Sequence, residues 1–539
     1  MTLDETAGPF LHELGEAERA AAYDRLQAGL PDVWRAMRLN LPDESVVVVP
    51  SVSIDRVVPR YGALNQAMEE RYLFLLLLLR QPRLRMVYVT SGAVDPQIIE
   101  YYLALLPGVI PSHARARLTM VSVGDSSPRP LAEKVLERPR VLADIARAIP
   151  NRAHSHLLPY TTSTLERDLA IELGIPMYGA DPRHLVLGTK SGCRRLFAEA
   201  GVPHPFGTED VHSVDDVVGA LRMLRQRRPG AVQAMVKLDE GVSGTGNAVV
   251  DLRDLPPPGA ATELGGIAER VRGMALEGEA VTHDLYFARL AERGGIVEER
   301  ILGDEVRSPS VQLRITPLGE VEVLSTHDQI LGGPSGQSYL GCVFPAEPGY
   351  ARLITRDAEA VGTRLATLGV LGRFAVDFVV VRQGDTWSAY AIEVNLRKGG
   401  TTHPFLTLQF LTDGRYEPDI ALFTTPGGRE KHLVATDHLE DESLRGLRVG
   451  DLFDVVARTG LHFDPATQTG VVLHMISSVT EAGRIGLTAI ADTRRAAHER
   501  YERAERTLLA EARSAASPRP LPVWSEPLRQ PRQGAIVSE

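Results

Sequence analysis

Cysteine is scarce: Cys193 and Cys342 are the only two in 539 residues, and they lie far apart. That excludes a disulfide framework and a cysteine-built metal finger, and it fits a reducing cytoplasm. Positive charge is in deficit as well. The 59 Lys and Arg against 69 Asp and Glu leave a formal net charge of −10, which argues against non-specific nucleic-acid binding as the main task. Long apolar runs are missing. The most apolar one, Tyr72 to Leu79, is closed by Arg71 and Arg80 and is far too short to cross a bilayer. The opening MTLDETAGPF has neither the basic nor the apolar region of a signal peptide. The expectation is a cytoplasmic protein with no nucleic acid and no membrane among its partners. No G-x-G-x-x-G follows the first apolar strand, so the N-terminal part is not expected to bind a dinucleotide.

What remains is an ordinary globular composition, 44% hydrophobic and 24% charged, long enough for several domains. Residues 10 to 40 carry apolar positions at helical spacing, and 1–45 reads as a helical extension. From 46 onward apolar strands alternate with helices: VVVVPSVSID (46–55), RMVYVTSG (85–92) and ARLTMVSVGD (116–125), with a strand at 156–160. This alternation predicts βαβ units, a mainly parallel sheet and a Rossmann-like domain over 46–185.

The chemistry-bearing residues come later. A helix predicted over Asp181 to Val202 carries Lys190. Residues 231–252 predict a hairpin, with Lys237 on its first strand and the glycine-rich loop Gly241-Val-Ser243-Gly244-Thr245-Gly246 at its tip. Glycines let backbone N–H groups approach an anion, and the lysine meets phosphate oxygens as a point charge. GGIVEERI (294–301) is a short strand ending in Glu298 and Glu299; taken alone it reads as a solvated strand end, and the other reading is an edge, up to Ile301, whose backbone pairs with an adenine ring while a carboxylate accepts from ribose hydroxyls. The segment 306–331 predicts two strands in which Arg314 and His327 are structural on balance, with substrate contact as the other reading. Residues 332–346, Gly-rich and polar, read as an active-site loop.

Asp377 sits inside the apolar strand VLGRFAVDFVVV (370–381). A lone buried carboxylate is costly unless it is paired or binds a metal. The next strand, in WSAYAIEVNLRKGGTTHPF (387–405), ends in Glu393, Asn395 and Arg397, which alternate onto one face. Two carboxylates and an amide suit a hard cation, and the guanidinium suits the phosphate that the cation carries. Gly399, Gly400 and Thr401 follow as candidate substrate contacts.

In this order the motifs resemble the ATP-grasp superfamily. More narrowly, 327–345 and 392–405 are similar to the peptide ligases of the pheganomycin-pathway type, which are carboxylate–amine ligases. The resemblance covers roughly 46 to 405. It implies an α/β chain, α+β in its ATP-grasp part: a Rossmann-like pre-ATP-grasp domain (46–185), then a two-lobed ATP-grasp domain (186–423). The nucleotide lobe would span about 203–300 and the metal lobe about 301–423. ATP and Mg2+ are implied as cofactors. Lys190 and Lys237 would contact phosphates beneath the 241–246 loop, and Glu298 and Glu299 would hold adenine and ribose. Asp377, Glu393 and Asn395 would bind two Mg2+ ions with Glu393 bridging, and Arg397 would stabilise the transferred phosphoryl group. The implied reaction joins a carboxylate and an amine through an acyl phosphate. A kinase-like transferase and a non-catalytic nucleotide binder are the alternatives. No general base for the amine is evident; His327 and His403 are weak candidates.

Residues 424–515 read as a separate C-terminal α/β cap of two strands and two helices over the cleft, or as a homodimerisation element. Residues 516–539, rich in proline, read as a flexible tail.

Overall fold

The computed structural model describes residues 11–37, 39, 41, 43–53, 62–241, 246–277, 281–332, 336 and 338–516. The tail beyond 516 and loop residues Ser243, Gly244 and Thr245 lie outside them. Among the described residues no helix is long and apolar enough to cross a membrane.

The first sheet contains β1 (Ser45–Val49), β2 (Arg85–Thr90), β3 (Leu118–Ser122) and β4 (Ser155–Pro159). All its pairings are parallel and the order is β3-β2-β1-β4. Every residue of β1 is buried, as expected of a strand covered on both faces by helices. The order reverses between β1 and β4. A crevice opens outside the carboxyl ends of parallel strands at such a reversal, and the segments Ser51–Ser53 and Thr161–Ser163 follow the two strands at that point. The apolar run 72–79 is part of a 3-10 helix, Arg71–Arg80, packed into the core beside this sheet.

The second sheet is antiparallel, in the order β5-β9-β6-β7-β8. Its strands are β5 (Gly207–Val211), β6 (Gln233–Leu238), β7 (Asn247–Asp251), β8 (Ala275–Leu276) and β9 (Gly295–Glu299). The predicted hairpin is β6–β7, with Lys237 opposite Asn247. Helices Val214–Arg227, Glu263–Arg272 and His283–Arg293 supply its apolar backing.

The third sheet has nine strands. Six precede the small antiparallel pair β16 (Arg415–Glu417) and β17 (Leu422–Thr424): β10 (Glu305–Arg307), β11 (Pro309–Ile315), β12 (Val321–Gly332), β13 (Ser338–Phe344), β14 (Gly372–Gln383) and β15 (Thr386–Asn395). Three follow: β18 (His432–Glu440), β19 (Gly470–His474) and β20 (Arg484–Ala491). The order is β10-β14-β11-β12-β13-β18-β20-β19, with β15 on β14.

Three sequence expectations change here. The C-terminal part is not a separate cap, because β18 pairs antiparallel with β13, from Gly341 opposite Thr436 to Phe344 opposite Leu433. It has three strands rather than two; β18 was missed because charged residues flank its short apolar centre, Leu433 to Ala435. Within the expected loop 332–346, Ser338–Phe344 is strand β13. The expected helix 181–202 breaks at Thr189 into a 3-10 helix, Pro182–Gly188, and an α-helix, Lys190–Glu199, so Lys190 sits at a helix N-terminus rather than mid-helix.

Candidate active site

Helix Lys190–Glu199 begins with a cap. The Thr189 side chain accepts from the Gly192 N–H, a group the helix itself leaves unpaired. The same end is tied to β6. Lys190 N–H donates to the Asp239 carbonyl at 3.1 Å, and the Asp239 carboxylate accepts from Ser191 N–H and Oγ, each at 2.8 Å. Gly192 is required there, since a Cβ would fall 1.9 Å from the Val186 carbonyl oxygen.

This anchoring points Lys190 at the end of β15. Its Nζ lies 2.7 Å from Glu393 Oε1. Glu393 and Asp377 face each other across the β14–β15 pair, and the register slips by one residue immediately beyond them. From 393 to 397 the chain alternates between half-buried and buried, which puts Glu393, Asn395 and Arg397 on one face as expected. Asp377 accepts from Gln329 Nε2 at 3.0 Å and from Asn395 Nδ2 at 3.1 Å.

The two carboxylates are held differently. Burial would raise Glu393, but Lys190, Arg397 and Lys237 together keep it below the ordinary carboxylate range. Burial and the neighbouring Glu393 charge push Asp377 up to about 6. Among the described residues no three His, Cys, Asp or Glu side chains converge. The oxygen set is two carboxylates and one amide, short of the six a hard cation takes, and phosphate oxygens and water would complete it. The donor chemistry and the crowding of Asp377 against Glu393 fit a divalent cation.

A second charged line runs from β6 to β9 and helix Lys190–Glu199. Lys237 Nζ lies 2.6 Å from Glu298 Oε1, and Arg194 Nη1 lies 3.0 Å from Glu298 Oε2. Glu298 is 2% exposed. Its two oxygens therefore hold two cations in place. Glu299 points elsewhere: it accepts from Phe206 N–H at 2.8 Å and pairs with Arg228 at 3.2 Å. Gly246 closes the loop with φ of +98°, a conformation costly for residues with a Cβ. Its carbonyl accepts from Leu238 N–H and the Tyr286 hydroxyl.

These residues line two clefts. The first, of about 310 Å³, lies between the second and third sheets and is bordered by Lys237, Glu298, Glu299, Ile301, Gln329 and Asp377. The second, of about 520 Å³, lies at the switch point of the parallel sheet. Its wall carries Ser53, Thr161, Thr162 and Ser163 from the first sheet's turns, Leu185 and Val186 from the 3-10 helix, and Asn395 and Arg397 from the end of β15. Lys190, Gly241 and Glu393 border both clefts.

Other candidates lie elsewhere. Arg314 pairs with Glu322 at 2.6 Å and stacks over Trp34, and it lines neither cleft. His327 is fully buried between Phe344 and Phe405, with Nε2 2.9 Å from Ser325 Oγ, and burial pushes its pKa down to about 3. His403 is fully buried against Phe74 and His474. Gly399, Gly400 and Thr401 form the turn into helix Thr402–Thr412 and line neither cleft. Gly400 is packed on Tyr339, where a Cβ would meet the ring at 2.6 Å, and its carbonyl accepts from Arg71 at 2.7 Å. The turn is a structural joint. Sequence reading missed Arg194, Gln329, Asp239 and the hydroxyl wall. The only local signal was Ser-Val-Ser after β1 and Thr-Thr-Ser after β4.

The chain is similar to known proteins over most of its length. Residues 184–264 and 260–417 match the family described as IQCH-like, ATP-grasp, and 451–504 match the PGM1 C-terminal domain. L-propargylglycine–L-glutamate ligase of Streptantibioticus cattleyicolor is 33% identical over 449 residues, covering 82% of this chain and 89% of that protein. IQ motif-containing protein H of Danio rerio is 27% identical over 343 residues, covering 56% of this chain and 32% of its own length. Among solved structures, the biotin carboxylase domain of 2-oxoglutarate carboxylase from Hydrogenobacter thermophilus aligns with a TM-score of 0.52 at 12% identity, covering 86% and 89% of the two chains. The ADP complex of N5-carboxyaminoimidazole ribonucleotide synthetase aligns at 0.50 and 11%, covering 88% and 98%. These structural likenesses establish the fold, and the identity and coverage of the ligase establish the relationship: the chain belongs to the ATP-grasp ligases.

Proposed function

We propose that this chain joins a carboxylate to an amine at the expense of ATP, releasing ADP and phosphate. The observation that carries the reading is the meeting of two clefts at Lys190, Gly241 and Glu393. One cleft has the two lysines, with Gly241 at its border, suited to a nucleotide, and the other has room for organic substrates. The substrate carboxylate oxygen attacks the γ-phosphorus, the bond to ADP breaks, and an acyl phosphate forms. The amine nitrogen then attacks the acyl carbon, phosphate departs, and the nitrogen loses a proton. Phosphoryl transfer depends mainly on positioning and charge neutralisation.

Lys237 and Lys190 hold phosphate oxygens, each oriented by a carboxylate, and Arg397 faces the transferred group from the second cleft. Ile301 and the end of β9 border the adenine, and Glu298 acts by fixing Lys237. Asp377, Glu393 and Asn395 would hold Mg2+, as two ions with Glu393 shared, and when bound it neutralises the phosphate charge. The relative named for L-propargylglycine and L-glutamate supports amino acids as substrates of this chain.

The test is product analysis. ADP and phosphate should appear only when a carboxylate is present, and an amide only when an amine is added. AMP and pyrophosphate would overturn the reading. A stable phosphorylated product that no amine consumes would favour a kinase-like transferase.

A further inference from the structure

Leu185, Val186 and Leu187 stand in a row on the 3-10 helix Pro182–Gly188. Leu187 packs against the core beside β14 and β15. Leu185 and Val186 do not. They remain 47% and 59% exposed, and both line the second cleft.

The backbone holds them there. The Val186 carbonyl accepts from Thr189 N–H at 3.3 Å and from Thr189 Oγ1 at 2.9 Å. The same oxygen sits on the bare Cα of Gly192, where a Cβ would come within 1.9 Å of it. Gly188 rests against Leu396, which belongs to the same cleft wall. A segment pinned in this way cannot roll to bury its outward pair without lifting Leu187 out of the core.

Single exposed apolar residues are ordinary on a folded surface. Leu185 and Val186 are not single: among the described residues they are the one pair of exposed large apolar residues adjacent in sequence. Two more residues of this kind, Leu302 and Val306, line the first cleft, where the proposed reading seats the flat adenine ring. Exposed apolar side chains thus recur at both clefts, and the second needs an occupant of comparable character.

We infer that Leu185 and Val186 form the subsite for an alkyl or aryl group of the carboxylate substrate, and select for an apolar acid by burying that group. The inference rests on the ligase reading. On that reading the carboxylate is held through both phosphoryl transfer and amide formation, whereas the amine joins only for the second step. A rigid, preformed shelf suits the molecule that stays. Covering it also removes water from the cleft that holds the acyl phosphate.

The full chain is assayed with ATP, Mg2+ and hydroxylamine, whose nitrogen displaces phosphate from an acyl phosphate and leaves a hydroxamate. The carboxylate is then read without the native amine. Two series serve as probes: acetate, butyrate and hexanoate, and glycine, L-2-aminobutyrate and L-norleucine. In at least one series kcat/KM should rise about fourfold for each methylene the shelf covers, the value of burying that group, and mainly through KM. Leu185→Asn combined with Val186→Thr keeps the shape of both side chains and should cut the rise to about twofold or less per methylene. Both positions face the cleft rather than the core, so Tm should hold within a few degrees. Flat series in the unsubstituted chain, or an unchanged slope in the double variant, overturn the inference. So does a large fall in Tm with every carboxylate slowed equally, which would show that the pair packs against this chain. Flat carboxylate series with a rise along methylamine, butylamine and hexylamine as acceptors would seat the amine there and overturn it too. Absence of hydroxamate and ADP with every carboxylate overturns the ligase reading instead.

Discussion

The two clefts that meet at Lys190 are built in different ways. In the first cleft, the proposed nucleotide site, each lysine has a carboxylate on a neighbouring strand: Lys190 with Glu393, and Lys237 with Glu298, which Arg194 holds from behind. The side chains are buried, paired and aimed before any ligand arrives, and the partners sit on regular elements at fixed register. The second cleft has hydroxyls where the first has ion pairs, and it draws on turns after β1 and β4, a 3-10 helix and the end of β15. Phosphate chemistry is the same for every substrate of such a fold, so its machinery is rigid and local. On the proposed reading, substrate recognition is placed on turns, where residues can vary without disturbing the sheets.

The sharpest way to break this comparison is to attack the residue both clefts share. Glu393→Gln removes the negative charge facing Lys190 and one oxygen of the cation set. Turnover should fall by at least about a thousandfold, the upper range for losing one preorganised electrostatic group. The far-UV circular dichroism should be unchanged. Near-normal activity would remove Glu393 from the chemistry and leave the clefts without a common centre.

The next effect concerns what holds the clefts together. Arg71 is fully buried, pairs with Asp437 at 2.6 Å and donates to the Gly400 carbonyl, tying the first domain to the turn after Arg397 and to β18. His474 Nε2 lies 2.8 Å from the same Asp437. Arg71→Ala strands a buried carboxylate and should cost about 3 kcal/mol or more, read as a fall in Tm. The pH dependence has a definite sign. Burial alone would raise Asp437, but Arg71 and His474 bring it well below its ordinary 3.8. The pair's contribution is therefore complete above that value and is lost as pH falls below it. An unchanged acid-unfolding profile in Arg71→Ala would show that the joint carries no stability.

A smaller, more selective effect separates the clefts from each other. Lys237→Met should raise the KM for ATP about tenfold and leave the KM for the carboxylate unchanged, since Lys237 borders only the first cleft. A parallel rise in both constants would mean that the clefts are coupled rather than independent.

The same division explains what could be read from the residue order. Asp377 in an apolar strand and Glu393, Asn395 and Arg397 at a strand end are visible because burying a charge needs a reason and because alternation fixes a face. Lys237 and the glycine-rich loop are visible because β6 and β7 are neighbours in sequence. The pairing of Glu298 was not legible, since its partners Lys237 and Arg194 are 61 and 104 positions away in the chain. The hydroxyl wall was illegible because serine and threonine after a strand are ordinary turn residues, and only the β1–β4 adjacency gathers them. The attachment of the C-terminal strands was lost for a related reason: the β13–β18 pairing spans about ninety residues, and no local pattern specifies such a partner.

His327 and Arg314 set the lower bound of the comparison, because both are conspicuous polar residues on β12 and β11 that neither cleft uses. A general base works best with a pKa near the operating pH and within reach of its proton. His327 has neither property: burial pushes it down to about 3, and aromatic rings enclose it. Arg314 is committed to Glu322 and to the face of Trp34, so it fastens the N-terminal helix Leu30–Met37 to the third sheet. His327→Leu and Arg314→Leu should each leave kcat within about twofold while lowering Tm by a few degrees, the shift that about 1 kcal/mol produces. A hundredfold loss of kcat in either, with Tm unchanged, would place that residue back in the chemistry and would mean that the second cleft extends into the third sheet's core.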